Sequence, residues 1–222
     1  MEDDPDHRLM AVIDSGNRKF ILVEALRTLC TDPEHFLGLC AVGFEHFSED
    51  EIEESERIAR AITLRERDEE SAMGWYLLSR CAHARNEMDQ AVSYVYRAFG
   101  LDCERNWYYT WASLYHLVRK EYALALAFAN KVLRQEPEEV AALAIQALAA
   151  YLDGGVLAPE EHLDSILAIE PENPVPYHYR GRLEQERKRA DRAKYWFRKA
   201  LEMEPEFYWS HHALSVMEAD TV

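Results

Sequence analysis

The stretch Glu170–Glu206, EPENPVPYHYRGRLEQERKRADRAKYWFRKALEMEPE, decides the fold. Two triplets bound it, Glu170-Pro171-Glu172 and Glu204-Pro205-Glu206, set 34 residues apart. Between them lie two amphipathic runs, the first carrying Tyr177 and Gly181, the second Ala193, Phe197 and Ala200 at helical spacing. Proline disfavours helical geometry in the residue before it, so each triplet closes a helix. The stretch therefore reads as a helix–turn–helix hairpin, whose apolar faces become buried only by stacking on similar hairpins.

Those similar hairpins are present. Glu136-Pro137-Glu138 lies 34 residues earlier, and Asp102-Cys103-Glu104 another 34, with cysteine in place of proline. Trp75, Tyr109, Leu143 and Tyr177 share one column, and the small residues Ser79, Ser113, Ala147 and Gly181 another. Ala91, Ala125, Pro159 and Ala193 follow, then Val95, Ala129, Leu163 and Phe197, then Ala98, Val132, Ile166 and Ala200. The polar turn Arg85-Asn86-Glu87 separates the two helices of its unit. Small residues let antiparallel helices approach closely, and the aromatic column fills the space beside them.

The pattern W-x2-L-G-x2-Y … A-x3-F-x2-A … P resembles that of the tetratricopeptide repeat (TPR) family. Residues 174–207 match through Tyr177, Gly181, Ala193, Phe197, Ala200 and Pro205, with Arg180 and Glu184 departing. Residues 72–105 match through Trp75, Leu78, Ser79, Ala91 and Ala98, with Ala82 and Cys103 departing. Units 106–139 and 140–173 are weaker, and Pro159 with Gly154-Gly155 predicts a shortened second helix in the latter. The resemblance implies an all-α right-handed superhelix over residues 70–207.

Outside this region, residues 33–69 read as a degenerate hairpin of the same kind. Asp32-Pro33 is expected to open its first helix, and Ser48 with Glu51 to form a capping box for its second. Residues 17–32 read as an N-terminal helix and residues 1–16 as disordered. A last, unpaired helix at 208–222 is expected to cap the array, with self-association around Trp209 as the alternative.

In proteins similar to this one, four positions of each first helix line a concave groove. Here they are Met73, Tyr76, Arg80 and His83; Trp107, Thr110, Leu114 and Leu117; Ala141, Ala144, Leu148 and Tyr151; Val175, His178, Arg182 and Gln185. The middle of the groove is apolar, which points to a partner's extended peptide or amphipathic helix anchored on Trp107, Leu114, Leu148 and Tyr151. Replacing Leu148 by arginine is then expected to weaken binding and spare folding. The helix at 17–30, or tight superhelical packing, is the competing occupant. The lysines and asparagines with which chaperone-adaptor TPRs hold a terminal carboxylate are absent, since Tyr76, Arg80, Trp111, Ala141 and Ile145 stand there. An apolar groove is also similar to that of TPR chaperones shielding hydrophobic segments of secretion or assembly substrates.

Composition narrows the classes further. Among 222 residues, 25 Lys+Arg face 41 Asp+Glu, for a net charge of −16. That balance weighs against nucleic-acid binding, leaving RNA recognition by the basic run Arg180–Lys199 as a minor alternative. No P-loop, dinucleotide-binding, HExxH or GxSxG motif appears, so neither catalysis nor a cofactor is expected. Cys30, Cys40, Cys81 and Cys103 form no C-x-x-C pair, and the nine histidines show no metal-ligand spacing. His116 reads as a packing residue. No apolar run is long enough to span a bilayer, and a cytoplasmic chain with a protein or peptide partner is the expectation.

Overall fold

The computed structural model describes residues 18–155 and 158–219, so the reading of residues 1–16 as disordered lies outside the described residues. Among these, regular structure is entirely helical. The helices are α1 (Arg18–Thr31), α2 (Phe36–Ser48), α3 (Ile52–Thr63), α4 (Asp68–Ala84), α5 (Met88–Leu101) and α6 (Asn106–Val118). They continue with α7 (Tyr122–Leu133), α8 (Val140–Leu152), α9 (Pro159–Ile169), α10 (Pro174–Glu186), α11 (Ala190–Met203) and α12 (Tyr208–Ala219). The chain divides into two compact units between Tyr108 and Tyr109, inside α6.

The repeat columns are the core. Val95, Ala129, Leu163 and Phe197 are each 0% exposed, as are Ala98, Val132 and Ala200. The small column explains itself at Gly181, where an added Cβ would lie 2.4 Å from Phe197 Cε1. At Ser113 the small side chain reaches the facing helix instead, its Oγ donating to Ala125 O at 2.7 Å. Beside it the aromatic column packs on the second helix: Trp75 meets Tyr94 at 5.6 Å and the Arg97 guanidinium at 4.6 Å. Tyr109 repeats the arrangement with Phe128 at 6.3 Å and Lys131 at 3.6 Å. Helix α9, opened by Pro159, has 11 residues against 14 in α11, as Pro159 and the glycines before it predict.

One turn motif closes every first helix. Asp50, Asn86, Lys120, Gly154 and Lys188 have φ of 63°, 61°, 63°, 87° and 59°. Each donates its N–H three residues back, and the next residue donates five back, as in Lys188 N to Gln185 O at 2.8 Å and Arg189 N to Glu184 O at 2.9 Å. This is the Schellman closure, in which the left-handed residue suits glycine best. Lysine is strained there, so Lys188→Gly is expected to stabilise the second unit by about 0.5–1 kcal/mol once glycine's greater freedom when unfolded is subtracted. Chemical denaturation measures it.

These five turns also correct the register at the N-terminal end. Asp50 to Asn86 spans 36 residues, not 34, so α2–α3 is a full hairpin displaced by two residues. With that offset Gly43 joins the small column, and its added Cβ would lie 2.8 Å from Leu77 Cδ2. Ser55, Ala59 and Ile62, all 0% exposed, join the second-helix columns. One repeat further back stand Ile21, Ala25 and Thr28 of α1, with Ala25 at 0% and Thr28 at 1% exposure. Helix α1 thus holds the place of a hairpin's second helix, and it packs against α2 through a cluster of Ala25, Cys40, Val42, Ile58 and Ile62. It is not a plug in the concave face.

Two capping expectations fail. Helix α2 opens at Phe36, with the His35 ring accepting from Gly38 N, so Pro33 lies in the preceding turn. There Asp32-Pro33-Glu34 takes the place of the triplet that ends each unit. Ser48 closes α2, donating to Phe44 O at 3.0 Å, and Glu51 pairs with His46 at 2.5 Å instead of completing a capping box.

Candidate functional site

In the first unit the columns expected to line the groove build an aromatic layer. Phe44 and Phe47 of α2 belong to it by the corrected register, which the 34-residue spacing alone does not reveal. Phe44 meets Tyr76 at 5.8 Å, and Tyr76 meets Tyr108 at 5.4 Å. The Arg80 guanidinium lies over Phe47 at 4.4 Å, with Phe44 at 5.7 Å and Tyr76 at 6.0 Å. Three rings around one guanidinium hold a cation by their quadrupoles. Tyr76 is buried, while Met73, Arg80 and His83 are half-buried. Trp107 stands out. It is 42% exposed, edge-on to Tyr108 at 5.9 Å, with the Arg105 guanidinium 5.1 Å from its ring. Arg105 is itself held by Asp102 at 2.6 Å.

The second unit differs from expectation. Leu148 and Ala144 are 1% and 0% exposed and Leu117 is also buried, so these three belong to the core. Leu148 is therefore no anchor in an open groove, and Leu148→Arg would place a charge in the core and unfold the unit rather than spare it. Thr110, Leu114, Ala141, Val175, Arg182 and Gln185 remain half-buried. His178 is a packing residue too: its Nδ1 meets Ser210 Oγ at 3.1 Å and its ring lies 5.2 Å from Phe197 and 5.8 Å from Phe207. Tyr151 lies under the Arg187 guanidinium at 5.1 Å. Arg187 also pairs with Glu160, and that hydrogen bond holds the Glu160 carboxyl below its ordinary value.

Trp209 of α12 packs on Trp111 of α6, with ring centroids 5.0 Å apart. It is half-buried there, engaged within its own chain. The α12 face that would receive another helix is polar, with His211, Ser215 and Glu218 exposed where α4 carries Trp75, Ser79 and Ala82.

Other candidates resolve into structural roles. His116 is buried, pairs with Glu121 at 2.5 Å and stacks on Phe128 at 5.5 Å. In the basic run, Arg180 covers Trp196, Arg187 and Arg189 pair with Glu184, and Lys199 pairs with Glu202. All four cysteines are free, and burial pushes the Cys40 thiol up to about 12. Among the described residues no helix is long and apolar enough to cross a membrane.

Comparison with solved structures returns TPR proteins. YrrB, a TPR protein with an unusual peptide-binding site, superposes with a TM-score of 0.53 at 12% identity, covering 86% of this chain and 97% of its own. PilF of Pseudomonas aeruginosa gives 0.61 at 16% identity, covering 95% and 96%. A chain of the APC/C hetero-tetramer Cut9–Hcn1 gives 0.68 at 16% identity, covering 98% of this chain and 42% of that one. At such identities the likeness shows the fold, an all-α solenoid of TPR hairpins. No family model matches the chain, and no curated protein matches its sequence.

Proposed function

We propose that this chain is a non-catalytic protein-interaction module that takes a peptide or helix of a partner protein on the concave side of its hairpins. The observation that carries the reading is Trp107. It stands in a concave column of the first unit and is 42% exposed, although a ring of that size is ordinarily drawn into the core. Its neighbours, Tyr108 and the Arg105 guanidinium, are held in place by Tyr76 and Asp102, so the ring is presented on a rigid base. Exposed tryptophan beside arginine is the composition of interface hot spots. The peptide-binding site of YrrB, on the same fold, supports the same use here.

The alternative, a chaperone shielding hydrophobic segments of a secretion or assembly substrate, drew on an open apolar trough through Leu148. With Leu148 and Ala144 inside the core, the observations favour a short recognition element anchored at Trp107 over the masking of a long apolar segment.

The test is affinity capture with Trp107→Ala against wild type, read by mass spectrometry, with helicity and thermal unfolding measured in parallel. Partners held by wild type are expected to fall by about thirtyfold in affinity, the scale of a 2 kcal/mol hot spot. The half-exposed position should leave folding intact. An unchanged set of captured proteins from a folded variant overturns the reading.

A further inference from the structure

We propose that the buried hydroxyl of Tyr108 is a second contact of the Trp107 site, held for an acidic side chain of the partner that enters as the Trp107 ring moves aside. This contact rests on the reading of Trp107 as the anchor and gives the partner its chemistry. Tyr108 shares a repeat column with Gly74, Ala142 and Pro176. All four are buried, and where the others are small Tyr108 supplies a ring that is 0% exposed. Packing accounts for the ring, which meets Tyr76 at 5.4 Å and Trp107 at 5.9 Å. It does not account for the oxygen. Among the described residues the Tyr108 hydroxyl has no hydrogen-bond partner. A buried polar group left so is unfavourable, and phenylalanine would fill the same space without it.

The groups around that oxygen indicate what would satisfy it. The Trp107 side chain lies against it but makes no hydrogen bond to it. Burial pushes the phenol far above its ordinary range, the Asp102 carboxylate adds to the rise and Arg105 opposes it. The phenol therefore stays protonated and offers an O–H donor. Asp102 is already engaged, its Oδ2 accepting from Arg105 Nε at 2.6 Å and its Oδ1 from Glu104 N at 3.3 Å. The Arg105 side chain is 44% exposed, with its guanidinium 5.1 Å from the Trp107 ring. Phenol O–H, indole N–H and guanidinium are all donors, the complement of a carboxylate. Trp107 is the neighbour that can yield, since a side chain with an exposed face changes rotamer quickly, whereas Tyr76 is buried.

The test starts from random peptides displayed on phage and selected on the full chain, then resynthesised and measured by fluorescence anisotropy. Peptides bound by wild type are expected to carry Asp or Glu beside an apolar residue. Tyr108→Phe is expected to weaken them by about tenfold, the scale of a hydrogen bond to a charged group. Its thermal midpoint should stay level or rise, because the free protein loses no bond. Replacing the peptide's acidic residue by alanine should weaken binding to wild type more than binding to Tyr108→Phe, the non-additivity of a direct contact. A midpoint lowered by about 4 °C or more means that the hydroxyl is already bonded in the free protein, and overturns the proposal. Equal affinity of wild type and Tyr108→Phe overturns it too, as does selection of peptides without acidic residues. Trp107→Ala separates the two readings. Peptides weakened by Trp107→Ala but not by Tyr108→Phe leave the anchor standing and remove this contact. Peptides indifferent to both variants, or a selected pool no different from the starting one, remove both.

Discussion

Replacing Phe197 by alanine is expected to remove about 3–5 kcal/mol from the stability of the second unit, the range for deleting a buried aromatic ring. The side chain is 0% exposed and sits against the bare backbone of Gly181 and the ring of His178. The two positions are coupled by volume. Gly181→Ala alone would bring a Cβ within 2.4 Å of the Phe197 ring and force it aside, which costs about 1–3 kcal/mol. Combining Gly181→Ala with Phe197→Leu gives the new methyl somewhere to go. The double variant is therefore expected to lose less stability than the sum of the two singles, the signature of a direct contact. Urea denaturation of the four proteins decides it, and strict additivity would mean that the ring does not fill the glycine notch.

The first unit has a different weak point. At Gly74 an added Cβ would lie 2.6 Å from Thr63 N and 2.8 Å from Ala59 O, so α3 and α4 cross backbone to backbone. A side chain cannot be accommodated by turning a neighbouring rotamer, because the obstructing atoms are main chain. Gly74→Val is expected to destabilise the unit by about 3 kcal/mol or more. Gly100, near the end of α5, has nothing within 4 Å of its added Cβ. There alanine is expected to stabilise by about 0.5–1 kcal/mol, since glycine loses more freedom than alanine on entering a helix. The opposite signs at two glycines of one unit, measured by the same denaturation, separate close approach from propensity.

What the chain reveals by reading depends on the range of the interaction. The columns ending at Val95, Ala129, Leu163 and Phe197 are local consequences of a 34-residue period and one helical turn, and their burial follows directly. The α2–α3 hairpin is harder to read because two extra residues between Asp50 and Asn86 move Gly43, Phe44 and Phe47 out of the common spacing. The Asp32-Pro33-Glu34 triplet was the available signal that α1 ends a repeat. The concave face is least legible. Periodicity says which residues share a helix face, but not how far that face curves inward. Leu148 and Leu114 occupy equivalent positions, yet Leu148 is sealed and Leu114 is half-buried. The Trp111–Trp209 contact joins helices from distant repeats, and no local pattern announces it.

The closing turns at Asp50, Asn86, Lys120, Gly154 and Lys188 share one hydrogen-bond pattern. A splice from one left-handed residue to the next would therefore join ends of matching geometry, dropping a whole hairpin without opening a turn. The gene can lengthen or shorten in such increments while each surviving joint stays intact. The pairing of Trp111 with Trp209 is what would not survive: it counts the hairpins lying between them, and so resists the very changes in repeat number that the joints permit.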